Sequence, residues 1–236
     1  GHAWRARLDR QPVRHPDRHP DRRPQRDAHA KTVPHAVRRS SPRARPGRPA
    51  RRVTLPDLDA QVLVRSLTGR APPGALAVLE DVDSTMDEAA RRARAGAPDG
   101  TVVIADHQTA GRGRLGRQWL APPGTALLLT VLLRPALAPD RLHELPMAMA
   151  LGALEAVRSA LPAGAPAAAL KWPNDLLVGG EKLGGILAES QLTAGGPDWL
   201  AIGLGLNVHQ TARQLPPEAT SLRLLGAPVR RDALAA

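Results

Sequence analysis

The residues best equipped for chemistry in this 236-residue chain are cations set beside glycines. In "GRGRLGRQW", residues 111–119, Arg112, Arg114 and Arg117 stand between and after Gly111, Gly113 and Gly116. An arginine fork binds carboxylate or phosphate oxygens in pairs, and glycine lets the backbone approach a ligand or fold over it. The bland alternative is an exposed basic loop with no ligand. A further cation, Lys171 in "LKWPND", ends an apolar run and precedes Pro173-Asn174-Asp175, a turn signal. Its ammonium either emerges in a cleft or snorkels to the surface, because burying it unpaired is costly. Two apolar stretches carry glycines of their own, Gly184-Gly185 in "KLGGIL" and Gly203 and Gly205 in "IGLGLNVH". In a strand such glycines mark either close approach of a ligand or backbone, or a bulge.

The glycines at 111, 113 and 116 match G-x-G-x-x-G, but that fingerprint needs a helix directly after the turn to face a pyrophosphate. Here "RQWLAPPGT" follows, and Pro122-Pro123-Gly124 cannot continue a helix. No acidic residue is placed for a ribose hydroxyl, and no G-K-[ST] exists for a phosphate-binding loop. The arginines, not the dinucleotide match, are the informative part.

The elements that must hold these residues are legible from Leu55 onward. "PDLDAQVLVRSL" (56–67) reads as a short helix, residues 75–81 as a strand, and "STMDEAARRARAG" as a helix. Ser84 or Thr85 caps that helix, three residues before Asp87 or Glu88, and Gly96 closes it. Apolar runs at 101–108 and 126–135 read as strands, with the arginine-glycine stretch between them. A helix fits 140–161, with Leu142, Leu145, Met149, Leu154, Val157 and Leu161 on one face and Pro146 in its first turn. Further strands fit 168–172, 183–190 and 199–206. This order implies an α+β mixed sheet flanked by helices, not a regular βαβ alternation.

Composition narrows the classes. The net charge of +11 comes entirely from residues 1–52, with 16 Lys+Arg against 4 Asp; the other 184 residues hold 17 against 18 Asp+Glu. The patterned part is near neutral, which argues against a DNA-binding domain. Residues 1–52, rich in Arg, Pro and His, have almost nothing to bury and read as a disordered extension, either a basic arm or a non-functional one. Residues 53–236 form the domain. There is no Cys, no apolar run spans a bilayer and no secretory signal is present, so a cytoplasmic location is expected.

Taken together, "DST" (83–85), "HQTAGRGRLGRQW" (107–119), "KWPNDL" (171–176), "KLGGIL" (182–187) and "GLGLN" (203–207) resemble the biotin protein ligase family over roughly residues 57–225. The resemblance implies a catalytic domain like those of class II aminoacyl-tRNA synthetases and biotin–lipoate ligases. It implies activation of biotin with ATP, Mg²⁺ expected, to biotinyl-5′-AMP, then transfer to a lysine of a biotin carboxyl carrier domain. On that resemblance Ser84, Thr85, Gln108 and Arg112 face the ring end of biotin, with Trp119, Gly185, Leu187 and Lys171 also in contact. Arg114 and Arg117 close over the activated ligand and hold phosphate, and Lys182 and Asn207 serve the nucleotide side. Lys171, with Arg114 and Arg117, carries the catalysis; Asp175 is a guess at a metal ligand. A lipoate or octanoate ligase, or a truncated biotin-binding relic, are the alternatives. Nothing before Leu55 resembles the winged helix of the family's repressors, so a monofunctional ligase without a DNA-binding domain is implied, with a homodimer as one expected assembly. The chain is also expected to lack the family's C-terminal small β-barrel.

Overall fold

The computed structural model describes residues 57–67 and 76–236. The expected extension at 1–52, the domain start at 53, and the first residues of the expected helix (56) and strand (75) lie outside that range. The elements are α1 (Ala60–Leu67), β1 (Leu76–Val82), α2 (Thr85–Arg94), β2 (Thr101–Gln108), β3 (Ala126–Leu133), α3 (Glu144–Ala160), β4 (Ala168–Lys171), β5 (Asp175–Val178), β6 (Glu181–Thr193), β7 (Gly196–Asn207) and α4 (Arg231–Ala235). The strands form one mixed sheet in the order β1-β2-β3-β7-β6-β5-β4. Only β1 and β2, joined through α2, run parallel; every other neighbouring pair is antiparallel.

The central strands read as unbroken apolar runs because both faces of the sheet are covered. On one face Met86, Ala89, Ala90 and Ala93 of α2 pack on Val103, Leu132, Trp199 and Ala201. On the other, Leu63, Leu154, Val157 and Leu234 from α1, α3 and α4 pack on Ile104, Leu127, Leu129, Ile202 and Leu204. The alternation of side chains along each strand sends Leu127 and Leu129 one way and Leu128 and Thr130 the other.

Several elements differ from expectation. The helix expected from 140 starts at Glu144: Pro139–Arg141 is a 3₁₀ turn, and Pro146 is the third helical residue. The helix expected from 56 starts at Ala60, where Asp59 accepts a hydrogen bond from the Gln61 N–H at its N-terminus. Residues 175–178, of which only Asp175 is read, as the end of a turn, form a strand, because β4 and β6 supply partners on both sides. The β6–β7 hairpin also extends beyond its apolar cores, to Thr193 and back from Gly196, since the ladder continues through polar residues.

Candidate active site

The cavity lies on the α2 face of the sheet, and its floor exists because side chains are missing there. Gly185 of β6 pairs directly with Gly205 of β7, and Leu187 with Gly203. A Cβ on Gly205 would sit 2.8 Å from the Trp119 ring, and one on Gly203 would sit 2.8 Å from Met86 Sδ. Gly184 faces Leu206 and the Gly205 backbone, so that glycine serves strand packing. Gly185 is open, its nearest neighbours 3.6 Å away. The resulting cavity is about 300 Å³, with Ser84, Thr85 and Gln108 at one end and the arginine loop and Lys171 around its mouth.

At the inner end, the residues of "DST" both start α2 and line the cavity. Ser84 caps α2, its Oγ accepting from the Met86 N–H at 3.2 Å, and it also lines the cavity. Thr85 donates to Gln108 Oε1 from its N–H (2.7 Å) and from Oγ1 (2.9 Å), while Thr130 Oγ1 donates to Thr85 Oγ1 at 2.9 Å. With its carbonyl oxygen taken, Gln108 keeps its NH₂ group for another partner. Asp83 orders the helix start: it accepts from the Ser84 N–H and receives a two-pronged bond from Arg91. Arg91 first, then the Ser84 N–H, hold the Asp83 carboxyl down at about 2.

The arginine loop is a small hairpin. Gly113 N–H donates to the Arg117 carbonyl (2.7 Å) and Trp119 N–H to the Gly111 carbonyl (2.9 Å), around a 3₁₀ turn at Arg114–Gly116. Leu115 at its tip has φ 57° and is 85% exposed. The Trp119 ring packs on Gly205 and also walls the cavity. Its indole N–H is buried with no hydrogen-bond partner.

On the other side of the mouth, Asn174 pins the turn after β4 to β6: its Nδ2 donates to the Ile186 carbonyl, and its own carbonyl accepts from the Ile186 N–H. This holds Lys171 at the end of β4, exposed and lining the cavity. Lys182 Nζ reaches Asp175 Oδ1 at 2.6 Å, and both residues line the cavity. No group of three or more His, Asp or Glu able to hold a metal gathers among the described residues, and Asp175 is committed to Lys182.

The structure brings Ser84, Thr85, Gln108, Arg112, Arg114, Arg117, Trp119, Lys171, Lys182, Gly185 and Leu187 to one cavity. Asn207 is the exception. It is buried outside the lining, its Nδ2 donating to the Thr220 carbonyl and its Oδ1 accepting from Gln210, which ties the end of β7 to the segment after it. Arg112 lines the cavity, and its guanidinium is also bonded to Asp87 and Glu189. Neither acid was singled out as a site residue, although 185, 187 and 189 share a strand face by simple alternation. Among the described residues the side chains of Arg114, Arg117 and Lys171 have no hydrogen-bond or ion-pair partner. Cations converging on one opening build a positive potential that favours an anionic ligand.

The model of the Biotin/lipoate A/B protein ligase family matches residues 78–207. The biotin–[acetyl-CoA-carboxylase] ligase of Mycobacterium tuberculosis is 39% identical over 174 residues, 72% of this chain and 64% of that protein. The bifunctional ligase/repressor BirA of Bacillus spizizenii is 38% identical over 145 residues, 60% of this chain and 44% of that one. The chain thus spans about half to under two thirds of the length of these relatives. Among solved structures, the Leishmania major biotin protein ligase in complex with biotinyl-5-AMP superposes with a TM-score of 0.56 at 34% identity, covering 70% of this chain and 71% of that one. The Aquifex aeolicus enzyme in complex with biotin and ATP gives 0.53 at 35% identity, covering 67% and 65%. The matched span runs from β1 to the last residue of β7 and takes in every strand that floors the cavity, so the chain belongs to the Biotin/lipoate A/B protein ligase family.

Proposed function

We propose that the cavity is the active site of a biotin protein ligase. The observation that carries this reading is the pairing of a neutral, hydroxyl- and amide-lined end (Ser84, Thr85, Gln108) with a mouth ringed by the unpartnered cations Arg114, Arg117 and Lys171. A neutral ureido ring with two donors and one acceptor suits the first, and a carboxylate meeting a phosphate suits the second. Support also comes from solved relatives held with biotin and ATP or with biotinyl-5-AMP.

In the first step a biotin carboxylate oxygen attacks the α-phosphorus of ATP, the bond to pyrophosphate breaks, and biotinyl-5′-AMP forms. Lys171, Arg114 and Arg117 offset the repulsion of two anions at that point. In the second step the neutral amine of a carrier-domain lysine attacks the acyl carbon and AMP leaves, with Lys171 stabilising the oxyanion between. One preorganised donor of this kind is worth roughly 2.7–4 kcal/mol. Trp119, Gly185 and Leu187 wall the acyl chain, and Lys182 stands on the phosphate side, held by Asp175. The partner is a biotin carboxyl carrier domain. No step is assigned to Mg²⁺, and none to Asn207.

The test is exchange of labelled pyrophosphate into ATP by the full chain, with biotin, lipoate and octanoate each offered alone and in competition. Biotin-dependent exchange supports the reading. Exchange driven by lipoate or octanoate in preference moves the chain to the other branch of the family, and binding of biotin without any exchange marks a binding relic.

A further inference from the structure

The arginine loop is fastened at one point. Beyond its own hairpin bonds, the only side-chain hydrogen bonds from residues 111–118 to the rest of the protein, among the described residues, are those of Arg112. Arg112 Nη1 lies 2.6 Å from Glu189 Oε1, Nη2 lies 2.9 Å from Glu189 Oε2, and Nη2 also lies 2.8 Å from Asp87 Oδ1. The Glu189 contact is a two-pronged arginine–carboxylate pair, the geometry in which such a pair is most specific. Each partner sits on an element that walls the cavity. Asp87 is in the first turn of α2, two residues after Thr85; Glu189 follows Gly185 and Leu187 on the same face of β6. Arg112 also bridges by its backbone to Gln118, so fixing its side chain fixes both legs of the hairpin that carries Arg114 and Arg117.

We infer that Asp87 and Glu189 are positioning residues that latch the arginine loop over the cavity through Arg112, and that they set how long an activated ligand stays bound. Neither acid needs to touch the ligand. Arg112 is then the latch bolt rather than a ligand contact, while the phosphate-facing arginines are the two it leaves unpartnered. A ligand escaping the cavity must wait for the latch to open, so weakening it shortens residence without removing any group from the reacting atoms. The retention half of this inference rests on the ligase reading; the latch itself does not.

The experiment uses the full chain without ligand and follows amide hydrogen exchange of residues 111–119 in wild type, Glu189→Gln, Asp87→Asn and the charge swap Arg112→Glu with Glu189→Arg. The Gly113 and Trp119 amides, bonded across the hairpin, should exchange roughly three- to tenfold faster in both single variants, the range set by a half-exposed bidentate pair. The swap should recover at least part of the protection. Unchanged exchange in both single variants overturns the latch. Should Glu189→Gln lose protection along all of β6, strand damage is the cause, and Asp87→Asn, which lies off the sheet, decides alone. In parallel, biotin and ATP are supplied to form the adenylate, and its release is timed against an unlabelled chase. Faster release matching the exchange factor supports retention by the latch, and unchanged release from an opened loop overturns it. If wild type forms no adenylate while the loop responds as expected, the latch stands and the ligase reading falls.

Discussion

Replacing Gly205 with alanine should damage the cavity from beneath. The new Cβ would lie 2.8 Å from Trp119 Cε2, 3.0 Å from Cζ2 and 3.1 Å from Cδ2, pressing on the ring face rather than on a flexible chain end. The strand cannot yield, because Gly205 is paired on both sides, with Leu128 of β3 and Gly185 of β6. The ring must therefore rise toward the cavity. Overpacking of this size costs about 1–3 kcal/mol, and removing a strand glycine returns about 0.5–1 kcal/mol through the unfolded chain. The net expectation is a loss of about 0–2.5 kcal/mol in urea unfolding. Because the displaced ring narrows the site, biotin affinity measured by calorimetry should fall more than stability does. Wild-type stability together with wild-type affinity would refute the reasoning that the glycine is there to seat Trp119.

A contrasting glycine lies in α3: a Cβ on Gly152 meets nothing within 4 Å, so Gly152→Ala should raise the unfolding free energy in urea by about 0.5–1 kcal/mol, as helix propensity alone requires. Arg231 is wholly buried against Asp57, Asp106 and the Ala126 carbonyl, so Arg231→Ala strands carboxylates in the core and should cost about 3–5 kcal/mol in the same assay. Acid should destabilise the fold through two carboxylates held below the ordinary 3.8. Burial opposes the charge on Asp57, but Arg231 and His209 outweigh it, and Arg91 holds Asp83 at about 2. A depressed carboxyl stabilises fully above its unfolded value and loses that contribution as pH falls through its folded one. Melting temperature should therefore drop between about pH 4 and pH 2, with a shallower drop in Asp83→Asn; parallel curves for the two proteins would remove Asp83 from the account.

Much of this was legible in the chain because the signals are local. The runs at 101–108 and 126–135 are apolar throughout, as strands covered on both faces must be, and "STMDE" announces a helix start. Lys171 and the loop arginines could be singled out from type and position, and Ser84, Thr85 and Gln108 through the family resemblance. What stayed hidden depends on partners distant in sequence. β5 is four residues after a turn and is a strand only because β4 and β6 flank it. Arg112 meets Glu189 77 residues away, a pairing no periodicity announces. Asn207 looked available for a ligand because its partners, Gln210 and Thr220, lie in an unpatterned segment. The glycines split by role in a way spacing could not show: Gly184 serves strand packing, Gly203 and Gly205 seat Met86 and Trp119, and Gly185 alone is open.

The central claim is that Lys171 acts on the reacting anions in this cavity. The direct measurement is biotin-dependent exchange of pyrophosphate into ATP by Lys171→Ala, beside a melting curve to establish that the variant is folded. Loss of one preorganised cation predicts a rate lower by roughly 10²–10³ with the melting temperature retained, since the side chain has no hydrogen-bond or ion-pair partner among the described residues. An exchange rate within about threefold of wild type, under one kcal/mol of transition-state stabilisation, would contradict the account.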